Sequence, residues 1–114
     1  MIKICDFGWS TICQEARQTF CGTPLYLSPE LLLQQNYNTK IDIWSIGVLG
    51  FELLFGRVPF EIRNQSDFTK IINDEVIFPP HNVSEEAKSF LKGCLKKDPD
   101  ARLSIGEVIE HSFM

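Results

Sequence analysis

Hydrophobic positions change their rhythm several times along this chain, and each change predicts an element. Ile2, Ile4 and Cys5, bounded by Asp6 and Gly8, read as a short strand over residues 2–5. Residues 6–27 keep no period and contain Gly8, Gly22 and Pro24. They predict a loop of about 20 residues, a length that is usually functional or disordered. Ser28-Pro29-Glu30 has the form of an N-cap, a proline at the first helical position and an acid in the first turn. A short helix through Leu31–Gln34 follows. Thr39, with Asp42 three residues on, predicts the cap of a longer helix that ends near Phe55, at Gly56, with Pro59 beyond.

That longer helix carries Ile41, Ile43, Trp44, Ile46, Val48, Leu49, Phe51, Leu53, Leu54 and Phe55. These cover nearly its whole circumference, and a helix apolar all round is a buried one. Three amphipathic helices are predicted after it. Phe68, Ile71 and Ile72 mark the first. Ala87, Phe90, Leu91, Cys94 and Leu95 mark the second, with Glu85 and Glu86 at its start and Lys96 and Lys97 as a solvated end, in the sense the macrodipole favours. After the turn Asp98-Pro99-Asp100, Ser104 and Glu107 form a capping box, and Ile105, Val108 and Ile109 line one face of the last helix. The expected architecture is mainly α: one strand, a long loop and about five helices around a central buried helix. Three single-stripe helices do not enclose a rod that is apolar on every side, so the pattern implies part of a larger core.

Composition narrows the function classes. Leu, Ile, Val and Phe make up 37 of 114 residues, which excludes a disordered chain. The formal net charge is −4, with −1 from residues 1–60 and −3 from residues 61–114. Neither half is a nucleic-acid binder of the phosphate-neutralising kind, and no polybasic run marks a membrane surface. The apolar run Ile43–Phe55 contains Glu52 and is too short for a bilayer. Cys5, Cys13, Cys21 and Cys94 form no C-x-x-C pair, and His81 and His111 lie far from the first three, so zinc is not expected. No secretory leader is evident at Met1–Asp6. Reduced thiols and a cytoplasmic or nuclear location are the expectation.

Chemistry enters with four motifs in order: Asp6-Phe7-Gly8 after the predicted strand, Cys21-Gly22-Thr23-Pro24-Leu25-Tyr26 leading to Ser28-Pro29-Glu30, Asp42-Ile43-Trp44-Ser45-Ile46-Gly47, and Asp98-Pro99-Asp100-Ala101-Arg102. Together they resemble the eukaryotic protein-kinase family from its D-F-G motif to the end of its C-terminal lobe. Gly22-Thr23-Pro24 with Tyr26 looks like the serine/threonine branch. Asp6-Phe7-Gly8-Trp9-Ser10 and Thr19-Phe20-Cys21-Gly22-Thr23 are similar to Aurora kinases. The resemblance implies an activation segment over 6–30, a central helix over 39–55 and late helices over 66–114.

It also implies roles. Asp6, with Phe7 and Gly8, would hold the Mg²⁺ that bridges ATP phosphates; the plain alternative is an Asp-x-Gly turn. Thr19 falls where such kinases carry an activation-loop phosphate, which adds about −1.5 to −2 charges; otherwise it is a solvated loop residue. Gly22, Thr23 and Pro24 lie on the substrate side, with Thr23 resembling the threonine that bonds catalytic-loop groups, or else a turn hydroxyl. Glu30 and Arg102 resemble a buried structural ion pair. Asp42 resembles the anchor of the catalytic loop, or is simply a first-turn acid. Cys21 is a candidate redox site.

The same resemblance shows what these residues do not contain: a Gly-rich loop, the ATP lysine, and an H-R-D-x-x-x-x-N run. The implied function is a segment of an ATP-dependent serine/threonine kinase acting on protein substrates. By itself it is expected to be catalytically incomplete and to bind neither ATP nor Mg²⁺ tightly. Its expected partners are protein substrates, and the missing kinase half or an activator protein. The alternative is a kinase-derived, non-catalytic binding module.

Overall fold

In a computed structural model of the chain, residues 1–7, 24–80 and 82–114 are described. Five α-helices occur among them: α1 Pro29–Leu32, α2 Lys40–Phe55, α3 Phe68–Asn73, α4 Glu85–Cys94 and α5 Ile105–Glu110. Short 3₁₀ turns cover Pro24–Tyr26 and Gln65–Asp67. Mainly α is therefore correct, and the described residues contain no strand. Residues 2–5 are a correction. Ile2 and Ile4 stand in solvent, because a strand needs a ladder partner and none is present among the described residues.

The central helix stops where its sequence says it should. Gly56 takes φ 70°, the left-handed conformation, and its N–H closes on the Glu52 carbonyl. Its start is displaced. Thr39 has helical backbone angles and makes no side-chain cap. The preceding Asn38 supplies the capping oxygen, accepting from Lys40 N at 2.9 Å. Ser28 also does not cap: its backbone carbonyl serves Leu31 and Leu32, while its hydroxyl is buried without a partner. Proline at N1 has no N–H to satisfy, so the cap is less needed there. By contrast, Ser84 accepts from Ala87 N at 3.1 Å at the head of α4. Ser104 and Glu107 form the expected reciprocal capping box on α5.

Packing divides α2 into faces. Ile43, Phe51 and Phe55 join Phe90, Leu91 and Cys94 of α4 and Val108 of α5. Trp44 and Val48 join Phe60, Ile71 and Leu95. The approach to α4 is close because Gly47 and Gly50 leave room: a Cβ on Gly47 would sit 2.7 Å from Cys94 Cβ, and one on Gly50 3.1 Å from Leu91 Cδ2. The remaining face is bare, with Asp42 exposed, Leu49 48% exposed and Leu53 77% exposed. Full enclosure, the simple reading of an all-apolar helix, is thus not met by the described residues. On α5 only Val108 of the expected stripe is buried; Ile105 and Ile109 face outward, since six residues give barely more than one turn and a half with which to meet α4.

Candidate functional site

Arg102 is aimed by the turn before it. Asp98 Oδ1 accepts from Asp100 N at 2.9 Å, and the Asp98 and Pro99 carbonyls both accept from Arg102 N at 3.2 Å. The guanidinium then enters the core and meets Glu30 of α1 as a two-pronged pair. Nη1 lies 2.8 Å from Oε1 and Nη2 3.0 Å from Oε2. Both side chains are essentially inaccessible, at 0% and 2%. The other donors go to backbone carbonyls: Nε to Lys96 at 3.0 Å, Nη1 to Lys40 at 2.8 Å, Nη2 to Lys97 at 3.4 Å. All five N–H groups therefore have acceptors, the condition under which a buried charge is tolerated. Lys40 returns the contact, its ammonium donating to the Arg102 carbonyl.

Trp44 lies beside this node. Arg102 Cζ is 5.2 Å from its ring centroid and Lys97 Nζ 5.3 Å. Lys97 is a correction to the expected solvated helix end. Its ammonium lies 4.0 Å from the Phe60 centroid and donates to the Ile71 carbonyl at 2.6 Å. Burial pushes it down to about 8, against the pull of Glu75 and Asp74. The basic residue at this point caps no helix; its long stem crosses apolar surface to reach α3. Lys96 is exposed, as expected.

A contact not anticipated from sequence joins the turn after Pro24 to the central helix. The Tyr26 hydroxyl donates to Glu52 Oε2. That hydrogen bond, then burial, then the carboxylate charge raise the phenol above its ordinary value. The only signal was the position of Tyr26 within the Gly22–Tyr26 motif. A partner 26 residues away leaves no local mark.

The other predicted site residues lie apart or outside the description. Asp6 is exposed with φ 62°, and Phe7 is exposed. Asp42 is an exposed acid in the first turn of α2. Gly8, Thr19, Cys21, Gly22 and Thr23 lie outside the described residues, as does His81; Pro24 opens the 3₁₀ turn. His111 packs edge-on to Phe90 and its Nδ1 accepts from Phe113 N at 3.1 Å, a satisfied histidine. Cys94, buried against Gly47, has its thiol pushed up to about 11 by burial. Among the described residues no group of three or more His, Cys, Asp or Glu is placed to hold a metal. One exposed aspartate does not meet the octahedral demand of Mg²⁺. Nor is any described helix long and apolar enough to cross a membrane.

Residues 1–114 match the protein kinase domain family. Aurora kinase of Eremothecium gossypii is 42% identical over 116 residues, covering 99% of this chain and 31% of its own length. Aurora kinase A-B of Xenopus laevis is 42% identical over 115 residues, covering 99% and 28%. RAC-beta serine/threonine-protein kinase of Homo sapiens is 43% identical over 123 residues, covering 98% and 25%. The chain spans between a quarter and a third of the length of these relatives. On that match and those identities, the chain belongs to the protein kinase domain family, in its eukaryotic serine/threonine branch, and is Aurora-like.

Proposed function

We propose that these residues form the part of a kinase C-terminal lobe that runs from the D-F-G motif onward, in an enzyme that transfers the ATP γ-phosphoryl group to Ser and Thr hydroxyls of proteins. The observation that carries the reading is the buried Glu30–Arg102 pair. It joins two motifs 72 residues apart in the chain, as the kinase resemblance requires and as no local propensity would. Residues 6–30 then serve as the activation segment, 39–55 as the central helix and 66–114 as the late helices.

In the complete enzyme Asp6, beside Phe7 and Gly8, contributes one carboxylate toward Mg²⁺·ATP. Thr19 takes the activating phosphate. Gly22, Thr23 and Pro24 border the substrate, and the Tyr26–Glu52 bond holds that border to α2. Asp42 is free at the head of α2 to anchor the catalytic loop. The bare stripe through Leu49 and Leu53 is where the rest of the kinase domain, or an activator, packs. Phosphoryl transfer needs phosphates, metals and hydroxyl positioned together, so these 114 residues by themselves neither bind ATP tightly nor transfer phosphate. The location that fits is the cytoplasm or nucleus.

The test is a chimera. Residues 6–114 replace the corresponding segment of an Aurora kinase, and ATP-dependent phosphorylation of Ser/Thr peptides is measured. Transfer that is abolished by Asp6→Asn is expected. A chimera that folds and binds ATP yet transfers nothing would overturn the reading in favour of a non-catalytic binding module. Autophosphorylation by the purified chain would contradict its incompleteness.

A further inference from the structure

Along α4 runs an open groove of about 440 Å³, lined by Lys88, Lys92 and Lys96 and, from the segments on either side of α5, by Leu103 and His111. We infer that this groove is a docking site for an acidic segment of a partner protein, bound in extended form.

Charge is the first support. Three ammonium groups line the groove against one carboxylate, that of Glu85, and Lys88 already holds it at 3.1 Å. Lys92 and Lys96 are exposed and have no salt-bridge partner among the described residues, although the chain carries 15 acids to 11 bases. The ammonium of Lys92 lies 5.7 Å from the Phe78 centroid, a long contact at an exposed side chain that leaves it able to turn. Like charges one helical turn apart repel. The macrodipole rewards a cation in the last turn of α4 but not one at Lys88, near its start. The row therefore costs free energy in the unbound chain, and an anionic partner offsets that cost.

Shape is the second. Gly93 also lines the groove, and a Cβ there would meet Leu103 Cγ and Cδ1 at 2.7 Å. Leu103 thus packs on bare backbone and offers an apolar floor. Beside it His111 Nδ1 accepts from Phe113 N, so Nε2 carries the proton, 3.5 Å from Ser89 Oγ. The Ser89 hydroxyl then has its own hydrogen to donate to a carboxylate. Lys88 and Lys92 are separated by a rise of about 6 Å. An extended peptide sets alternate side chains on one face at about 6.6–6.8 Å, close enough for flexible lysines to follow. A nucleic acid would also meet the cations. The lining, however, has no Phe, Tyr or Trp on which a base stacks, and the whole chain carries −4. None of the residues assigned to phosphoryl transfer lines the groove, so its occupant binds whether or not the chain serves a kinase.

The probe is a fluorescein-labelled peptide of alternating glutamate and serine, titrated with the 114-residue chain by anisotropy at low salt. Saturable binding is expected, weakened at least about tenfold by Lys92→Glu/Lys96→Glu, which removes two attractions and adds two repulsions. Lys3→Glu/Arg63→Glu changes the net charge equally at two exposed residues outside the groove and should weaken binding far less. No saturable binding, or equal weakening by the two double variants, would overturn the inference. So would a single-stranded oligonucleotide of matched charge that binds more tightly than the peptide. Dimers that dissociate on Lys92→Glu/Lys96→Glu would assign the groove to a second copy of this chain instead.

Discussion

Arg102 concentrates more dependence than any other side chain described here. Its guanidinium has five satisfied donors in a dry site, so truncation strands the Glu30 carboxylate. Loss of one partner of a buried pair typically costs about 3–5 kcal/mol, a large part of the about 5–15 kcal/mol that holds a domain together. Arg102→Ala should lower the unfolding free energy by that amount or unfold the chain; an unchanged urea midpoint would show that the pair contributes nothing. Arg102→Lys should recover less than half of the loss, because an ammonium does not reproduce the two-pronged contact. Lys97 gives a prediction in pH. Its folded value of about 8 lies below its ordinary 10.5, so between these values the unfolded chain binds more protons and stability rises with pH. Cys94 acts oppositely: its thiol is raised from 9.0 to about 11, so it subtracts stability above about pH 9. The unfolding midpoint should therefore climb from pH 8 to 9 and flatten beyond. Lys97→Met should abolish the climb. A flat wild-type profile would mean the aromatic faces hold the ammonium as well as water does.

The crossing of α2 and α4 depends on an absence of side chain. Gly47→Ala gains up to about 1 kcal/mol of helix propensity, yet its Cβ would meet Cys94 Cβ at 2.7 Å and Leu95 at 2.9 Å. Neither Cys94 Cβ nor a packed leucine moves without shifting α4, and overpacking of this kind costs about 1–3 kcal/mol. The net expectation is a loss of up to about 2 kcal/mol by chemical denaturation. A stabilised Gly47→Ala would show that the helices separate easily. Much of this layer was legible in the sequence because its signals are local: the Gly56 stop, the Ser104–Glu107 box, and the α4 spacing from Ala87 to Leu95. Failures came where a neighbour decides. Residues 2–5 have strand chemistry and no ladder partner among the described residues. Ser28 and Thr39 have cap chemistry, but Pro29 removes one need and Asn38 meets the other. Lys97 follows the end of α4 as a macrodipole lysine should, yet Phe60 and Ile71, which no spacing reveals, claim it. Glu30–Arg102 was foreseen through the motif resemblance rather than periodicity, and Tyr26–Glu52 was missed because neither residue names its partner.

Taken together, the described residues form two well-packed clusters on two faces of α2 and leave a third face open. That asymmetry separates a self-contained domain from part of a larger one. If Leu49 and Leu53 are a surface in their own right, replacing them changes little in any context. If they await the remainder of a kinase domain, the effect depends on context. Each buried leucine contributes about 1.5–3 kcal/mol, whereas solvent-facing substitutions usually stay within about 0.5 kcal/mol. The double variant Leu49→Gln/Leu53→Lys should therefore leave the urea midpoint of the isolated chain almost unchanged while reducing its binding of a hydrophobic dye and its aggregation. In the Aurora chimera the same pair should cost about 3–6 kcal/mol, or prevent folding. Equal effects in the two contexts would mean that the stripe is not covered in the assembled kinase domain. A loss above about 1 kcal/mol in the isolated chain would mean that α2 is already enclosed there, and would remove the physical basis for assigning the rest of a lobe to that face.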